Sequence, residues 1–256
     1  MLSRSQAARV RALQRRKGRE ESGEFLVEGV RQAEDLLASP VVPHLALISP
    51  SLGDTPRGRE LSKRVRAAVS TTDVTDAELA HLVTTQTTQG VVIVAGIPRF
   101  GLDDVTLTDQ SLVIVLDAVQ DPGNFGTITR SADAFGASLI AALPGTVDPW
   151  NPKSVRSAAG SSLRLPIVET TLDALLAYLR HRGGTLIGAD MHGVEVDRAA
   201  YSGPVALALG NEGAGLGEAV REACDQLVAV PIGGSAESLN VGVAAGILMY
   251  LLSRTS

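Results

Sequence analysis

Three stretches in the second half of the chain share one construction: a run of β-type apolar residues leads into a glycine-rich turn that carries polar side chains. Leu112–Leu116 runs toward Asp121-Pro122-Gly123-Asn124, Val205–Leu209 into Gly210-Asn211-Glu212-Gly213, and Leu227–Val230 into Pro231-Ile232-Gly233-Gly234. Continuous apolar runs of this length suit strands buried on both faces, the habit of parallel sheets covered by helices. In such sheets ligands bind in the turns beyond the carboxyl ends of the strands. An α/β layer fold follows, and the search for function starts at these turns.

Further strands are expected at Ser138–Ala142, Pro166–Val168 and Thr185–Ala189, with helices near 124–135, 151–159, 171–180, 217–224 and 239–252. An alternation of the same kind precedes them. The pattern predicts a basic helix over 5–17 with Ala7, Val10 and Leu13 along one side, then strands at Phe25–Glu28, His44–Ile48 and Gly90–Ala95. Helices are predicted at Val30–Ala38, Glu60–Val69 and Ala77–Val83. Residues 97–110 contain Pro98, Gly101 and several acids without a sustained period, and read as a linker. The chain thus divides into a basic arm over 1–20, a small α/β domain over 21–96, the linker 97–110 and a larger α/β domain over 111–256.

Composition removes several function classes. Aromatic residues are only 3% of the chain, so aromatic base-stacking platforms are not expected. A single cysteine, Cys224, excludes an internal disulfide and any multi-cysteine metal site, and reads as a small buried helix residue. His44, His81, His181 and His192 lack metal-ligand spacing, so no metal is expected. No apolar run follows the basic start, and Val241–Leu252 is too short to span a bilayer and reads as a core helix; a cytoplasmic protein is expected. Gly213-x-Gly215-x-Gly217 lacks the full dinucleotide-binding spacing, which counts against a nicotinamide-dependent oxidoreductase. Charge points elsewhere. Residues 1–20 hold seven basic side chains against one acid, Glu20, a local charge of +6 that leaves −11 on the rest of a chain whose net charge is −5. A basic arm on an acidic body fits contact with phosphates.

The turns carry more than a fold. Asp121 to Arg130, Leu209 to Gly213 and Pro231 to Val241, in this order and ahead of an apolar final helix, resemble the SpoU (TrmH-like) branch of the SPOUT methyltransferases. The resemblance implies a C-terminal SPOUT domain with a mostly parallel sheet and a trefoil knot near its end. Nothing else in the sequence suggests the knot, since general topology rules treat knots as essentially absent. It implies methyl transfer from S-adenosylmethionine to a ribose 2′-hydroxyl of RNA, and a homodimer formed through the knotted domain. The catalytic residues it implies are Arg130, Asn124, Glu212, Ser238 and Asn240, with Asn124 at the helix N-cap and Glu212 positioning Arg130 or the acceptor ribose. The cofactor residues it implies are Gly188, Ala189, Leu209, Gly210, Asn211, Gly213, Ile232, Ser238, Leu239 and Asn240.

The first half strengthens the match. Phe25-Leu26-Val27-Glu28-Gly29, and later Thr85-Gln86-Thr87-Thr88-Gln89-Gly90-Val91-Val92, resemble the L30e/L7Ae-like substrate-binding domain that many SpoU proteins carry. Arg11, Arg15, Arg16 and Lys17 of the arm are candidate RNA contacts. So are Lys153 and Arg156 in Asn151 to Gly160, which resembles the family's helix beside the acceptor site. Trp150 adjoins that segment and reads as a packing residue. The favoured substrate is 23S ribosomal RNA. A transfer RNA 2′-O-methyltransferase and a non-catalytic RNA-binding member of the fold remain as alternatives, and retention of all five polar site residues argues against the latter.

Overall fold

The computed structural model describes residues 2–83, 88–196, 201–235 and 237–253, so the Thr85-Gln86-Thr87 part of the first-half motif lies outside the described residues. Two compact units emerge: Met1–Pro98 with Asp148–Leu163, and Arg99–Val147 with Arg164–Ser256.

In the first unit a four-stranded sheet runs in the order β1 (Glu24–Glu28), β4 (Val91–Gly96), β2 (Pro43–Ile48), β3 (Thr71–Asp73). The β1–β4 and β4–β2 pairs are antiparallel, while β2 and β3 are parallel. The three polar residues of β3, at a sheet edge, carry no hydrophobic period that would mark a strand in the sequence. Helices α1 (Arg4–Leu13), α2 (Arg16–Ser22), α3 (Val30–Leu37), α4 (Pro56–Ala68) and α5 (Asp76–Ala80) complete the first stretch of chain. Ala7, Val10 and Leu13 of α1 do reach the core, against Leu26, Leu45, Leu47 and Val94.

The single helix expected over 5–17 is broken. Gln14 closes α1, Arg15 is extended at φ −109° and ψ 143°, and a new helix starts at Arg16. The break turns Arg19 inward, to 2% exposure. Its Nη1 donates to the carbonyl of Leu13 at 2.7 Å and its Nε to Asp148 at 2.8 Å. Arg19 is therefore a structural cation and is withdrawn from the phosphate-binding set of the basic arm. Breaking a buried pair leaves an uncompensated charge, so Asp148→Ala is expected to cost about 3–5 kcal/mol. A denaturant titration would read this as a lowered midpoint, and an unchanged midpoint would refute it.

Asp148–Leu163, which in sequence falls inside the second series between β6 (Leu139–Ala142) and β7 (Ile167–Glu169), packs in this first unit. Trp150 is buried there with its ring centroid 4.7 Å from that of Phe25. Helix α7 (Pro152–Ala158) lies in the same segment.

The second unit holds a six-stranded, wholly parallel sheet. Its order is β10 (Gln226–Ala229), β8 (Thr185–Glu195), β9 (Val205–Leu209), β5 (Leu112–Leu116), β6 (Leu139–Ala142), β7 (Ile167–Glu169). From β5 the chain steps outward through β6 and β7, then crosses to place β8, β9 and β10 on the other side. The reversal falls between β5 and β9, where open parallel sheets form their binding crevice. Helices α6 (Pro122–Ala134), α8 (Leu172–Arg180), α9 (Glu218–Ala223) and α10 (Val241–Ser253) belong to this unit. The residues read as a linker are partly built into it: Leu102, Val105 and Leu107 pack on its core, and the Tyr178 hydroxyl donates to the Val105 carbonyl.

Helix α10 is not the buried core helix its composition predicts. Gly242, Ala245, Leu248, Met249 and Leu252 are buried, but Val243 and Tyr250 are exposed. A helix apolar on all sides gives no period from which to tell its covered face from its open one. Gly242 and Gly246 allow a close approach to α6, where a Cβ would lie 3.2 Å from Thr127 and 3.5 Å from Ser131 respectively.

Candidate active site

Helix α6 opens one residue pair earlier than predicted. Its cap is Asp121, whose Oδ1 accepts the backbone N–H groups of Gly123 at 2.7 Å and Asn124 at 2.9 Å, with Pro122 at the first helical position. The Asp-Pro pair is a start signal that the sequence carried. Asn124 is thereby released from capping. Its Nδ2 donates to Glu212 Oε1 at 3.0 Å, and its Oδ1 accepts from Asn240 Nδ2 at 3.0 Å. One side chain thus links the turn after β9 to the residue that opens α10.

Glu212 does not touch Arg130. Its carboxylate instead accepts the backbone N–H groups of Gln120 at 3.2 Å and Asp121 at 3.0 Å, together with the Asn124 amide. Partial burial pushes its pKa up, but the Asn124 amide and these backbone donors outweigh it and hold the carboxyl below the usual range. A depressed folded-state pKa gives stability that is present above the unfolded-state value and lost as pH falls through the folded one. Wild type is therefore expected to be more stable than Glu212→Gln at neutral pH, with the gap closing in acid. Parallel thermal melts at pH 7 and below pH 4 would check this, and a gap that persists in acid would refute it.

Asn240 caps α10, its Oδ1 accepting from Gly242 N at 2.9 Å and Val243 N at 3.3 Å. Ser238 is exposed and is not the cap. Arg130 is exposed on α6, and among the described residues none holds its guanidinium. The fold therefore joins Asn124, Glu212 and Asn240 directly, while Arg130 and Ser238 stand apart from that chain of hydrogen bonds.

Beside this network lies a cavity of about 390 Å³. Of the expected cofactor residues, Ala189, Leu209, Gly210, Asn211, Gly213, Ile232, Ser238 and Leu239 line it. Asn240 is not among its walls and contributes through Asn124. Gly188 is not a wall either: the space its missing Cβ leaves is filled by Leu216, Cys224 and Leu227, at 2.6–2.8 Å. Its role is close packing behind the site.

Several contributors escaped the sequence reading. β8 runs past Ala189, and its pairing with β10 shifts from Leu227 opposite Gly188 to Val228 opposite Val194. Residues 189–193 are looped out by that shift and bring Asp190, Met191 and His192 to the cavity. Asp190 pairs with Arg221 and accepts the His192 N–H at 2.8 Å. Burial raises its pKa, but the His192 N–H and Arg221 more than offset this and hold it below the usual range. Ala118, just beyond β5, has φ 55° and its carbonyl accepts from Asn211 Nδ2 at 2.9 Å. A left-handed non-glycine residue is a local cost of the kind that gathers at functional sites.

The thiol of Cys224 donates to the Val220 carbonyl and burial pushes its pKa up to about 11. At pH 8 only about one molecule in a thousand carries the thiolate, so alkylation of the native protein is expected to be negligible until unfolding. Mass spectrometry after iodoacetamide treatment with and without denaturant reads the difference; native labelling at the denatured rate would refute it. No group of His, Cys, Asp and Glu fit to hold a metal occurs among the described residues. No helix of the described residues is long and apolar enough to cross a membrane.

Of the candidate RNA contacts, Arg11, Arg15, Arg16, Lys17 and Lys153 are exposed. Arg16 and Lys17 form i,i+4 pairs with Glu20 and Glu21. Arg156 donates from Nη1 to the buried Glu28 carboxylate at 3.2 Å.

Comparison with known proteins agrees with this geometry. Residues 111–250 match the SpoU rRNA Methylase family and residues 5–93 the MRM3-like substrate binding domain. The chain is 34% identical to the 23S rRNA (guanosine(2553)-2′-O)-methyltransferase RlmP of Bacillus subtilis, over 94% of this chain and 92% of that protein. It is 36% identical to the 23S rRNA (uridine(2479)-2′-O)-methyltransferase of Streptomyces viridochromogenes, over 92% and 84%. Among solved structures, the SpoU methyltransferase AviRb from Streptomyces viridochromogenes in complex with AdoMet superposes with a TM-score of 0.90 at 31% identity, covering 99% of this chain and 98% of that one. An AdoMet-bound rRNA methyltransferase from Sinorhizobium meliloti gives 0.88 at 28% identity, covering 100% and 97%.

Proposed function

The chain belongs to the SpoU rRNA methylase family, and we propose that it methylates a ribose 2′-hydroxyl of 23S ribosomal RNA with S-adenosylmethionine as donor. The observation that carries this reading is the hydrogen-bonded chain Glu212–Asn124–Asn240, which joins the three turns at the mouth of a cavity walled by the expected cofactor residues.

The cavity fits the cofactor in size and chemistry. Its volume lies within the ordinary range for small-molecule sites. Leu209, Ile232, Leu239 and Leu248 offer apolar walls for an adenosyl group, and the backbone of Gly210 to Gly213 offers polar groups at one edge. When bound, S-adenosylmethionine supplies a methyl group on a positive sulfur, open to attack by an oxygen nucleophile. The chain's own task is alignment. Glu212 fixes Asn124, which leaves α6 and its Arg130 in one orientation and orients the ribose. A guanidinium is a very poor base, so the role that suits Arg130 is to clamp an RNA phosphate and stabilise the developing 2′-alkoxide.

The first unit, with the domain 21–96 at its centre, serves as the substrate-binding part, and the second unit, which takes in Leu102, Val105 and Leu107, as the methyltransferase part. The exposed side chains of α1 and α2 add phosphate contacts that weaken with salt. The C-terminal segment forms the family's trefoil knot, and two copies pair through the knotted domain. The exposed Val243 and Tyr250 on α10 support such pairing. The protein works in the cytoplasm, where ribosomal RNA is made.

The test is methyl transfer from labelled S-adenosylmethionine to separated 23S, 16S and transfer RNA, taken from cells lacking the gene and digested to nucleosides. Label is expected in one 2′-O-methyl nucleoside of 23S RNA. Label in a base would sink the ribose mechanism, and label in transfer RNA alone would move the substrate.

A further inference from the structure

The turn after β9 holds three alternate glycines, Gly213, Gly215 and Gly217, whose spacing is not that of a dinucleotide fingerprint. Gly213 and Gly215 are walls of the cofactor cavity, and Gly215 has φ 72°, a conformation that favours glycine. Gly217 is not a wall, and its φ of −61° suits any residue. What it does is admit a carboxylate. A Cβ on residue 217 would lie 3.2 Å from Oδ2 of Asp117, tighter than an ordinary contact, and the Gly217 N–H donates to that same oxygen at 2.7 Å. Asp117 stands just beyond β5, where its own N–H donates to the Leu209 carbonyl at 2.9 Å. It is half-buried and is not itself a cavity wall.

The turn after β9 is thus tied to the turn after β5 at both of its ends. At its start Asn211 Nδ2 donates to the Ala118 carbonyl at 2.9 Å, and Glu212 accepts the N–H groups of Gln120 and Asp121. At its far end stands the Asp117–Gly217 bond, the shortest of these. Between them lie Gly213, Ala214 and Gly215, exposed along the cavity. Leu216 is buried on the core, but apolar packing is non-directional, whereas a hydrogen bond fixes how the peptide planes of the turn face. We propose that Asp117 is a positioning residue for the cofactor, whose carboxylate holds the wall from Gly213 to Gly215 in its binding form before S-adenosylmethionine arrives; the proposal rests on the reading of that cavity as the S-adenosylmethionine site. A wall already ordered in the empty protein leaves less conformational entropy to lose on binding. Without the bond the turn samples other arrangements, and the cofactor must select one of them, so affinity falls. Once the cofactor is bound the wall is in place. The chain Glu212–Asn124–Asn240 does not pass through Asp117, so alignment for transfer survives.

The experiment compares the full wild-type chain with Asp117→Ala, Asp117→Asn, Gly217→Ala and the double variant Asp117→Ala/Gly217→Ala, each checked for folding by circular dichroism. Calorimetry gives the affinity for S-adenosylmethionine, and transfer to 23S RNA gives KM for the cofactor and kcat. Asp117→Ala is expected to weaken binding and raise KM about fivefold, with kcat at saturating cofactor within about twofold of wild type. Asp117→Asn keeps an oxygen acceptor and is expected to recover most of the affinity. Gly217→Ala displaces the carboxylate and is expected to lose about as much as Asp117→Ala, the double variant losing no more than either, because both changes remove one contact. A residue that merely held the fold together would lower the amount of active protein, and so kcat, with KM unchanged. That pattern would overturn the proposal. So would wild-type affinity in Asp117→Ala, an Asp117→Asn variant as weak as Asp117→Ala, or additive losses in the double variant. If wild type binds S-adenosylmethionine but methylates no RNA, the enzyme reading alone falls and the calorimetric comparison still decides the role of Asp117. A wild-type chain that binds no S-adenosylmethionine overturns both.

Discussion

Arg130→Ala is expected to lower the rate of methyl transfer by about 10²–10³-fold or more, the loss typical when a donor aimed at a developing oxyanion is removed. Cofactor affinity is expected to stay unchanged, because Arg130 is not a wall of the cavity. Nor is the variant expected to unfold. The residue is exposed, and among the described residues nothing depends on its guanidinium. The contrast with its neighbours on α6 is instructive: Phe125, Ile128, Ala132 and the Thr129 side chain are fully buried and hold the helix in place. Arg130→Lys keeps the charge but loses the planar fork, so it should recover only part of the rate. Single-turnover transfer to 23S RNA, beside calorimetric titration with S-adenosylmethionine, separates the two effects. Wild-type turnover in Arg130→Ala would remove the arginine from the mechanism.

Gly210→Ala is expected to abolish cofactor binding, for a reason confined to the backbone. A Cβ on residue 210 would lie 2.2 Å from the carbonyl carbon of Gly215 and 2.3 Å from the nitrogen of Leu216. Neither is a side chain that can swing aside. The turn is closed by two bonds between Asn211 and Gly215, each 2.9 Å, so relief of the clash must open it. Opening carries Glu212 away from Gln120, Asp121 and Asn124, and the cavity loses the wall from Leu209 to Gly215 together with the network beside it. Affinity for S-adenosylmethionine is expected to fall at least about a hundredfold, in keeping with the several kcal/mol that forced backbone conformations cost. Gly234→Ala is the control: residue 234 has nothing within 4 Å of its Cβ position and is not a cavity wall. Calorimetry on folded protein, judged by circular dichroism, decides the matter. Normal affinity in Gly210→Ala would mean that the turn adapts and that its closure is not what forms the site.

The amino-acid sequence by itself determined the layers and the place of the site. Apolar runs such as Leu112–Leu116 and Val205–Leu209 cannot be satisfied except as strands covered on both faces, and their β5 and β9 became neighbours with Leu116 opposite Leu209. Glycine-rich turns after such strands fixed where the polar groups gather, because side chains next in sequence to a strand end have nowhere else to go. What tertiary structure alone decided was which polar group meets which. Asn124 read as a helix cap but bridges Glu212 and Asn240, 88 and 116 residues away, because Asp121 had taken the cap. Glu212, expected to position Arg130 or the acceptor ribose, holds the backbone N–H groups of Gln120 and Asp121 and the Asn124 amide. Arg19 read as one cation of a phosphate-binding arm and is buried against Asp148, 129 residues away. The looped residues 189–193 arise from a register shift between two strands, which neither strand encodes alone. The physical reason is the same in each case. Local propensity and hydrophobic period are short-range quantities, whereas a hydrogen bond between side chains depends on distances set by the packing of the whole sheet.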